Sequence, residues 1–299
     1  MITVSTIDEV RAACDAARAA GRTVGFVPTQ GFFHEGHRSL MRAARADTDF
    51  VVVSQFVNPT QFGPTEDLAG YPRDPEGDAA VAAAEGVDLL FTPGADEMYP
   101  GGARTTVHVA GLTEVLCGAS RPGHFDGVTT VVTKLFSIVG ASRAYFGRKD
   151  SQQLAVIRRM TADLDLPVAV IGCPLVREPD GLALSSRNSY LSDEERAAAT
   201  ILSGALYMAS EAVVRGVRDA ATIRQLLADT VAHVPLVRLD YAEVVDAATL
   251  DPIDEITGDT LVAVAAYVGK ARLIDNVTIT FRGETPCPDL GVLTASSGM

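Results

Sequence analysis

Close cysteine pairs are missing from this chain of 299 residues: Cys14, Cys117, Cys173 and Cys287 are scattered, which argues against a zinc site and offers no disulfide framework. They read as packing or surface thiols. Also missing is any run rich in lysine and arginine, and the formal charge is -13. Nucleic acid is therefore a poor partner, because its phosphate backbone calls for a clustered basic surface, whereas a small anion in a local pocket is compatible with this balance. No uninterrupted apolar run reaches the ~18 residues of a membrane span. Met1-Ile2-Thr3-Val4-Ser5 lacks the basic start and apolar stretch of a signal peptide, so the expectation is a cytoplasmic protein with no membrane partner. No G-x-G-x-x-G follows a strand, and no G-x-x-x-x-G-K run followed by Ser or Thr occurs, which removes the dinucleotide fingerprint and the P-loop as explanations of phosphate binding.

What is present is an ordinary globular composition, 47% hydrophobic and 21% charged, in a chain long enough for two domains. Short runs rich in Val, Ile and Phe, at Val24–Val27, Phe50–Val57, Val87–Thr92, Arg143–Phe146 and Val168–Val176, alternate with Ala-rich or amphipathic segments. This βαβ rhythm predicts an α/β domain over residues 1–175, a parallel sheet with helices on both faces. After the turn chemistry of Arg177-Glu178-Pro179-Asp180-Gly181 come two helical stretches, about Asp193–Arg215 and Ala220–Ala232. Strand-like Val237–Val245, Thr260–Tyr267 and Leu273–Phe281 follow. Helices and then consecutive strands predict a smaller α+β domain over residues 176–285, with a poorly ordered tail over 286–299.

The segment Pro28-Thr29-Gln30-Gly31-Phe32-Phe33-His34-Glu35-Gly36-His37 leaves the first core strand at the edge where such sheets bind ligands. The helix that begins here places His34 and His37 on its first turn, three apart and on one face. A helix N-terminus offers unpaired N–H groups and partial positive charge, and two imidazoles beside it can stabilise the charge that develops at an attacked phosphorus. Gly36 lets phosphates approach the backbone. The same spacing also occurs in metal ligands and in plain exposed helix starts, so the rest of the chain has to discriminate.

Three clusters bear on that choice. Asn58-Pro59-Thr60-Gln61-Phe62-Gly63 ends the second core strand with two amides, and taken alone it is common turn chemistry. Gly147-Arg148-Lys149-Asp150-Ser151-Gln152-Gln153 follows another core strand; a solvated charge run is the bland alternative, weakened by the position. Leu184-Ser185-Ser186-Arg187-Asn188 is a hydroxyl-and-cation loop at the domain junction, of a kind also frequent on surfaces.

Together with Tyr71-Pro72-Arg73, Arg121-Pro122-Gly123-His124-Phe125-Asp126-Gly127 and Arg272-Leu273-Ile274-Asp275-Asn276, these clusters strongly resemble the pantothenate synthetase (pantoate–β-alanine ligase) family of the nucleotidyltransferase superfamily, from about Val24 to Asn276. The resemblance implies a Rossmann-like nucleotide- and acid-binding domain and an enzyme that uses ATP with Mg²⁺, forms an acyl-adenylate from a hydroxy acid, and passes the acyl group to an amine. It implies that His34, His37, Lys149 and Arg187 are catalytic. ATP is expected at Pro28, Gly36, His37, Asn58, Gly147, Lys149, Asp150, Ser185, Ser186 and Arg187, with the last three on a flexible loop. Gln30, Gln61, Gln153 and Phe62 are expected to line the acid pocket, and Asp78 is a candidate near the metal or the amine. A homodimer is expected on the same ground.

Departures from the family pattern fall mainly where the acid sits. Gln30, Phe32 and Phe33 stand in a segment that in the family reads Pro-Thr-Met-Gly-Ala-Leu-His, Thr60 and Leu184 replace methionines, Arg148 replaces a glutamate and Ser151 a frequent tyrosine. Phosphate-handling residues are intact. Three readings follow: the pantoate–β-alanine ligase itself; a paralogous ligase for another hydroxy acid or amine; and a nucleotidyltransferase or non-catalytic nucleotide-binding protein.

Overall fold

The structure is a computed structural model that describes residues 1–63 and 68–294. The chain divides into two compact units, one comprising residues 1–148 and 152–173, the other residues 149–151 and the chain from Pro174 on.

The first unit is built on a six-stranded parallel sheet. In chain order its elements are β1 (Ile2–Val4), α1 (Ile7–Ala19), β2 (Val24–Thr29), α2 (Glu35–Asp47), β3 (Phe50–Gln55), α3 (Pro75–Ala84), β4 (Leu89–Phe91), α4 (Ala95–Met98), α5 (Cys117–Ser120), α6 (His124–Val139), β5 (Ser142–Gly147), α7 (Ser151–Asp163) and β6 (Val168–Cys173). The strand order is β1-β4-β3-β2-β5-β6. Val51, Val52 and Val53 of β3 are all fully buried, because a strand covered by helices on both faces has no solvent side and reads as an unbroken apolar run. From β2 the chain winds one way through β3 and β4, then returns to add β5 on the other side of β2. The order therefore reverses between β2 and β5, and the carboxyl ends of these strands flank the crevice where open α/β sheets hold ligands.

The second unit contains β7 (Val176–Arg177), α8 (Asp193–Ala199), α9 (Ile201–Val214), α10 (Ala220–Ala232), β8 (Val237–Asp246), β9 (Thr260–Val268), β10 (Ala271–Arg282), β11 (Thr285–Asp289) and β12 (Val292–Leu293). An antiparallel sheet of order β11-β10-β9-β8 carries its core against α9 and α10, with Leu202, Leu206, Ile223, Leu227, Val262 and Val264 all at or near zero exposure.

Several boundaries differ from the sequence reading. The expected strand Val168–Val176 splits into β6 and β7 around Pro174, which has no N–H for a ladder. The N-terminal segment, for which no element was expected, is an edge strand pairing in parallel with β4. The expected tail carries β11, a hairpin partner of β10, and β12, which pairs with β7; residues 295–299 lie outside the described residues. The stretch Asp193–Val214 is long and apolar enough to cross a membrane by length and composition. Its buried residues Leu202, Ala205, Leu206, Ala209 and Val213 recur on one face and pack into the second unit's core, as a core helix does.

Candidate active site

β2 delivers the histidine segment to the switch point, and a buried carboxylate shapes it there. Gly31 has φ +86° and Phe32 φ +53°, a left-handed pair that reverses the chain between β2 and α2. A Cβ on Gly31 would lie 2.8 Å from Gln55 Nε2 and 2.9 Å from Asp78 Oδ2, so the position has no room for a side chain. Asp78, on α3 and only 2% exposed, accepts from Phe33 N at 2.6 Å and Phe32 N at 2.7 Å, and from Gln55 Nε2 at 2.6 Å. Burial pushes its carboxyl above the usual range, against those N–H bonds. Asp78 was a candidate near the metal or the amine. In this structure it anchors the loop ahead of His34 to α3.

The two histidines form a reciprocal cap. α2 starts at Glu35, so His34 is its N-cap rather than a first-turn residue, with extended backbone. His34 Nδ1 accepts from Gly36 N at 3.2 Å, and His37 Nδ1 accepts from His34 N at 3.3 Å. With Nδ1 of each ring accepting a backbone N–H, Nε2 is the nitrogen that carries the donor proton. The rings lie 4.1 Å apart at 35°, beside the N–H groups that open a helix of 13 residues. Phe33 packs on His37 at 5.5 Å. Pro28 lies in β2 one residue before its end, and Gly147 closes β5 across the reversal point.

The turn after β3 is held from within. Asn58, 1% exposed, donates through Nδ2 to Gly127 O at 3.0 Å and Gln61 Oε1 at 3.2 Å, and its Oδ1 accepts from Tyr99 Oη at 2.8 Å and Thr60 Oγ1 at 3.0 Å. Asn58, expected at the phosphates, thus ties the Gln61 turn to α6 and to Tyr99. His124 Nδ1 donates to Gln61 O at 2.8 Å, and Arg121 Nη1 donates to His124 Nε2 at 3.0 Å. A Cβ on Gly127 would meet Thr60 O at 2.5 Å and Gln61 N at 2.6 Å, all backbone, so only glycine lets α6 approach this close. The Arg121–Gly127 motif is thus the seat of the Gln61 turn. Phe62 stacks edge-on to Tyr71 at 5.9 Å.

Gln153 is half-buried near the start of α7, while its neighbour Gln152, singled out only as part of the run, is 5% exposed and ties down the loop before α5. Gln152 Oε1 accepts from Cys117 N, and Nε2 donates to Leu112 O and Val115 O. Gln30 is half-buried, and its Oε1 is buried without a hydrogen-bond partner, as is Gln55 Oε1. A buried acceptor left unpaired costs about 1–3 kcal/mol.

In the second unit, Lys149 Nζ lies 3.8 Å from Asp150 Oδ2, and the Lys149 carbonyl accepts from Asn276 Nδ2 at 2.8 Å. The Ser-Ser-Arg segment, expected as a flexible loop, is an ordered 3-10 turn over Ser186–Tyr190. Ser185 caps it through Oγ to Arg187 N, and Asn188 Nδ2 fastens it to Ala183 O and Glu178 Oε1. Among the described residues no three His, Cys, Asp or Glu side chains gather as a metal-binding group.

The chain is similar to known proteins over most of its length. A family model described as pantoate-beta-alanine ligase matches residues 2–278. The pantothenate synthetase of Heliobacterium modesticaldum is 56% identical over 276 residues, covering 92% of this chain and 98% of that protein. A crystal structure of pantothenate synthetase from Thermus thermophilus superposes with a TM-score of 0.87 at 50% identity, covering 92% of this chain and 98% of that one. The pantoate-beta-alanine ligase of Francisella tularensis, solved as a complex with beta-gamma ATP and beta-alanine, is 32% identical with a TM-score of 0.76, over 92% and 97% of the two chains.

Proposed function

The chain belongs to the pantoate-beta-alanine ligase family, and from that premise we propose how its residues divide the family's work. The enzyme joins pantoate to β-alanine at the expense of ATP, a ligase reaction that forms a C–N bond. It proceeds through pantoyl-adenylate: a pantoate carboxylate oxygen bonds to the α-phosphorus as the bond to pyrophosphate breaks. The neutral β-alanine amine then attacks the acyl carbon, AMP leaves with the bonding pair, and the new amide nitrogen loses a proton.

The observation that carries the assignment is the reciprocal cap at the carboxyl end of β2. A carboxylate is already nucleophilic at neutral pH, so the first step needs charge stabilisation and in-line positioning more than a base. His34 and His37 supply Nε2–H donors fixed by their own backbone bonds, so they need no reorganisation as charge moves toward the leaving oxygen. The helix start adds N–H groups at Gly36 and beyond. Lys149 and Arg187 neutralise the phosphates, Ser185 and Ser186 donate to them, and Asp150 and Gly147 receive the ribose. Gln61, Gln153, Gln30 and Phe62 hold the acid, with Gln30 Oε1 accepting from a pantoate hydroxyl. Mg²⁺ would accompany ATP and would add positive charge to its phosphates beside Lys149 and Arg187. A homodimer in the cytoplasm completes the reading.

ATP–pyrophosphate exchange tests it. Exchange that depends on pantoate, with amide formed on adding β-alanine, is the expected result. Absence of exchange with every hydroxy acid would remove the adenylation mechanism, and exchange with another acid but not pantoate would make this a paralogue with a different substrate.

A further inference from the structure

The motif Arg272-Leu273-Ile274-Asp275-Asn276 has no part in the division of work above, yet it holds a buried carboxylate, Asp275. Asp275 and Asn276 are 3% and 5% exposed in the middle of β10, a strand otherwise given to apolar packing. Asp275 takes a bidentate pair from Arg177, Nη1 to Oδ2 at 2.6 Å and Nη2 to Oδ1 at 2.9 Å, and Arg177 is itself 6% exposed. Asn276 N donates to Asp275 Oδ1 at 2.7 Å. The remaining donors of Arg177 reach Leu290 O at 2.7 Å, Gly181 O at 3.1 Å and Asn276 O at 3.4 Å. Burial pushes the Asp275 carboxyl up while the guanidinium pulls it down.

A buried ion pair stabilises a fold little more than well-packed apolar residues of the same volume do, and often less. Its geometric definition is worth more: a planar fork on a carboxylate fixes both partners in angle as well as distance. What this pair fixes is the peptide of Asn276, and Asn276 reaches out with Nδ2 to hold the Lys149 carbonyl at 2.8 Å. Lys149 sits in a 3-10 turn between β5 and α7, on a long flexible side chain whose reach depends on where its backbone is held. Asp275 also lines, with Ser185 and Asn188, one small cavity beneath the Ser-Ser-Arg turn.

We infer that Asn276, seated by the Arg177–Asp275 pair, is a positioning residue for Lys149 in the adenylation step. The inference rests on the role assigned to Lys149 above. Removing the tether leaves the ammonium in place chemically but frees its backbone anchor, and misplacement by about 1 Å costs up to ~100-fold in rate.

The experiment is pantoate-dependent ATP–pyrophosphate exchange on the full chain for Asn276→Ala, Asn276→Ser, Lys149→Ala and the double variant Lys149→Ala/Asn276→Ala, with thermal unfolding of each. The expected result is a kcat for Asn276→Ala lowered roughly ten- to hundredfold, an unchanged KM for pantoate, and a double variant no slower than Lys149→Ala alone. Asn276→Ser, too short to reach the carbonyl, behaves as Asn276→Ala and serves in its place if the alanine variant does not fold. A loss in the double variant equal to the product of the two single losses overturns the inference, because a merely structural residue acts independently of Lys149. A normal rate for the Asn276 variants alongside a slow Lys149→Ala also overturns it while leaving the role of Lys149 standing. A normal rate for Lys149→Ala removes that role and the inference with it.

Discussion

Asp78 accepts the main-chain N–H of Phe33 at 2.6 Å, one residue before the histidine that caps α2. A carboxylate on one helix thereby sets the entry angle of another, and with it the direction of two imidazoles. Phe32, φ +53° without being glycine, is held in that conformation by the other oxygen of the same group.

Asp78→Asn therefore turns an acceptor-only group into one that points N–H at N–H. Leaving one of these buried donors unpaired costs about 1–3 kcal/mol. Chemical denaturation should show that loss, and exchange activity should fall with it. Unchanged stability and activity would mean that the loop is set by Gly31 and β2 alone.

His34 has two duties that one substitution separates. Asparagine is among the best N-caps, so His34→Asn preserves the cap to within a few tenths of a kcal/mol but removes the Nε2–H donor. Thermal unfolding should be nearly unchanged while adenylation falls by about 100-fold, the usual consequence of losing one transition-state donor. His37→Ala should fall by a similar factor. Near-normal exchange in both would contradict their assignment.

Gln30→Met should improve the use of pantoate if the orphaned Oε1 finds no hydroxyl in the complex, and impair it if it does. The role proposed here requires impairment: a higher KM for pantoate with the KM for ATP nearly unchanged. Equal loss of activity with every acid would show that Gln30 only shapes the fold.

Gly127→Ala places a methyl against Thr60 O and the Gln61 backbone at 2.5–2.6 Å, where no flexible side chain can give way. α6 and the turn must separate, at a cost of about 1–3 kcal/mol. Because Gln61 rides on that turn, kinetics should show a raised KM for pantoate larger than that for ATP.

Burial pushes the Cys14 thiol up to about 11, and Cys117 and Cys173 are also buried. The thiolate is the reactive form, so at pH 8 Cys14 is neutral as well as covered. Alkylation of the native protein should label Cys287 first, with all four thiols labelled only after denaturation. Rapid labelling of Cys14 below pH 9 would contradict this burial.

The core strands of the sheet were legible because a doubly covered parallel strand is apolar on both faces, and Val24–Val27 and Phe50–Val53 carry no polar side chain. The places of the His34–His37 and Lys149–Asp150 clusters after strands were legible too, since β2 and β5 are apolar runs that end just before them. Duties that depend on long-range placement were not. Whether Asn58 faces a nucleotide or Gly127 O, 69 residues away, depends on how closely α6 packs, which no local pattern encodes. That Asp78 would accept from Phe32, Phe33 and Gln55 depends on β2, β3 and α3 coming together, which its Ala-rich helix does not encode. Arg177 and Asp275, 98 residues apart, look like two surface charges until the fold buries them against each other. The sequence by itself determined the chemistry on offer, through residue types at strand ends. Only the tertiary structure decided which polar side chains hold one another in place, because that is a matter of burial and partners distant in the chain.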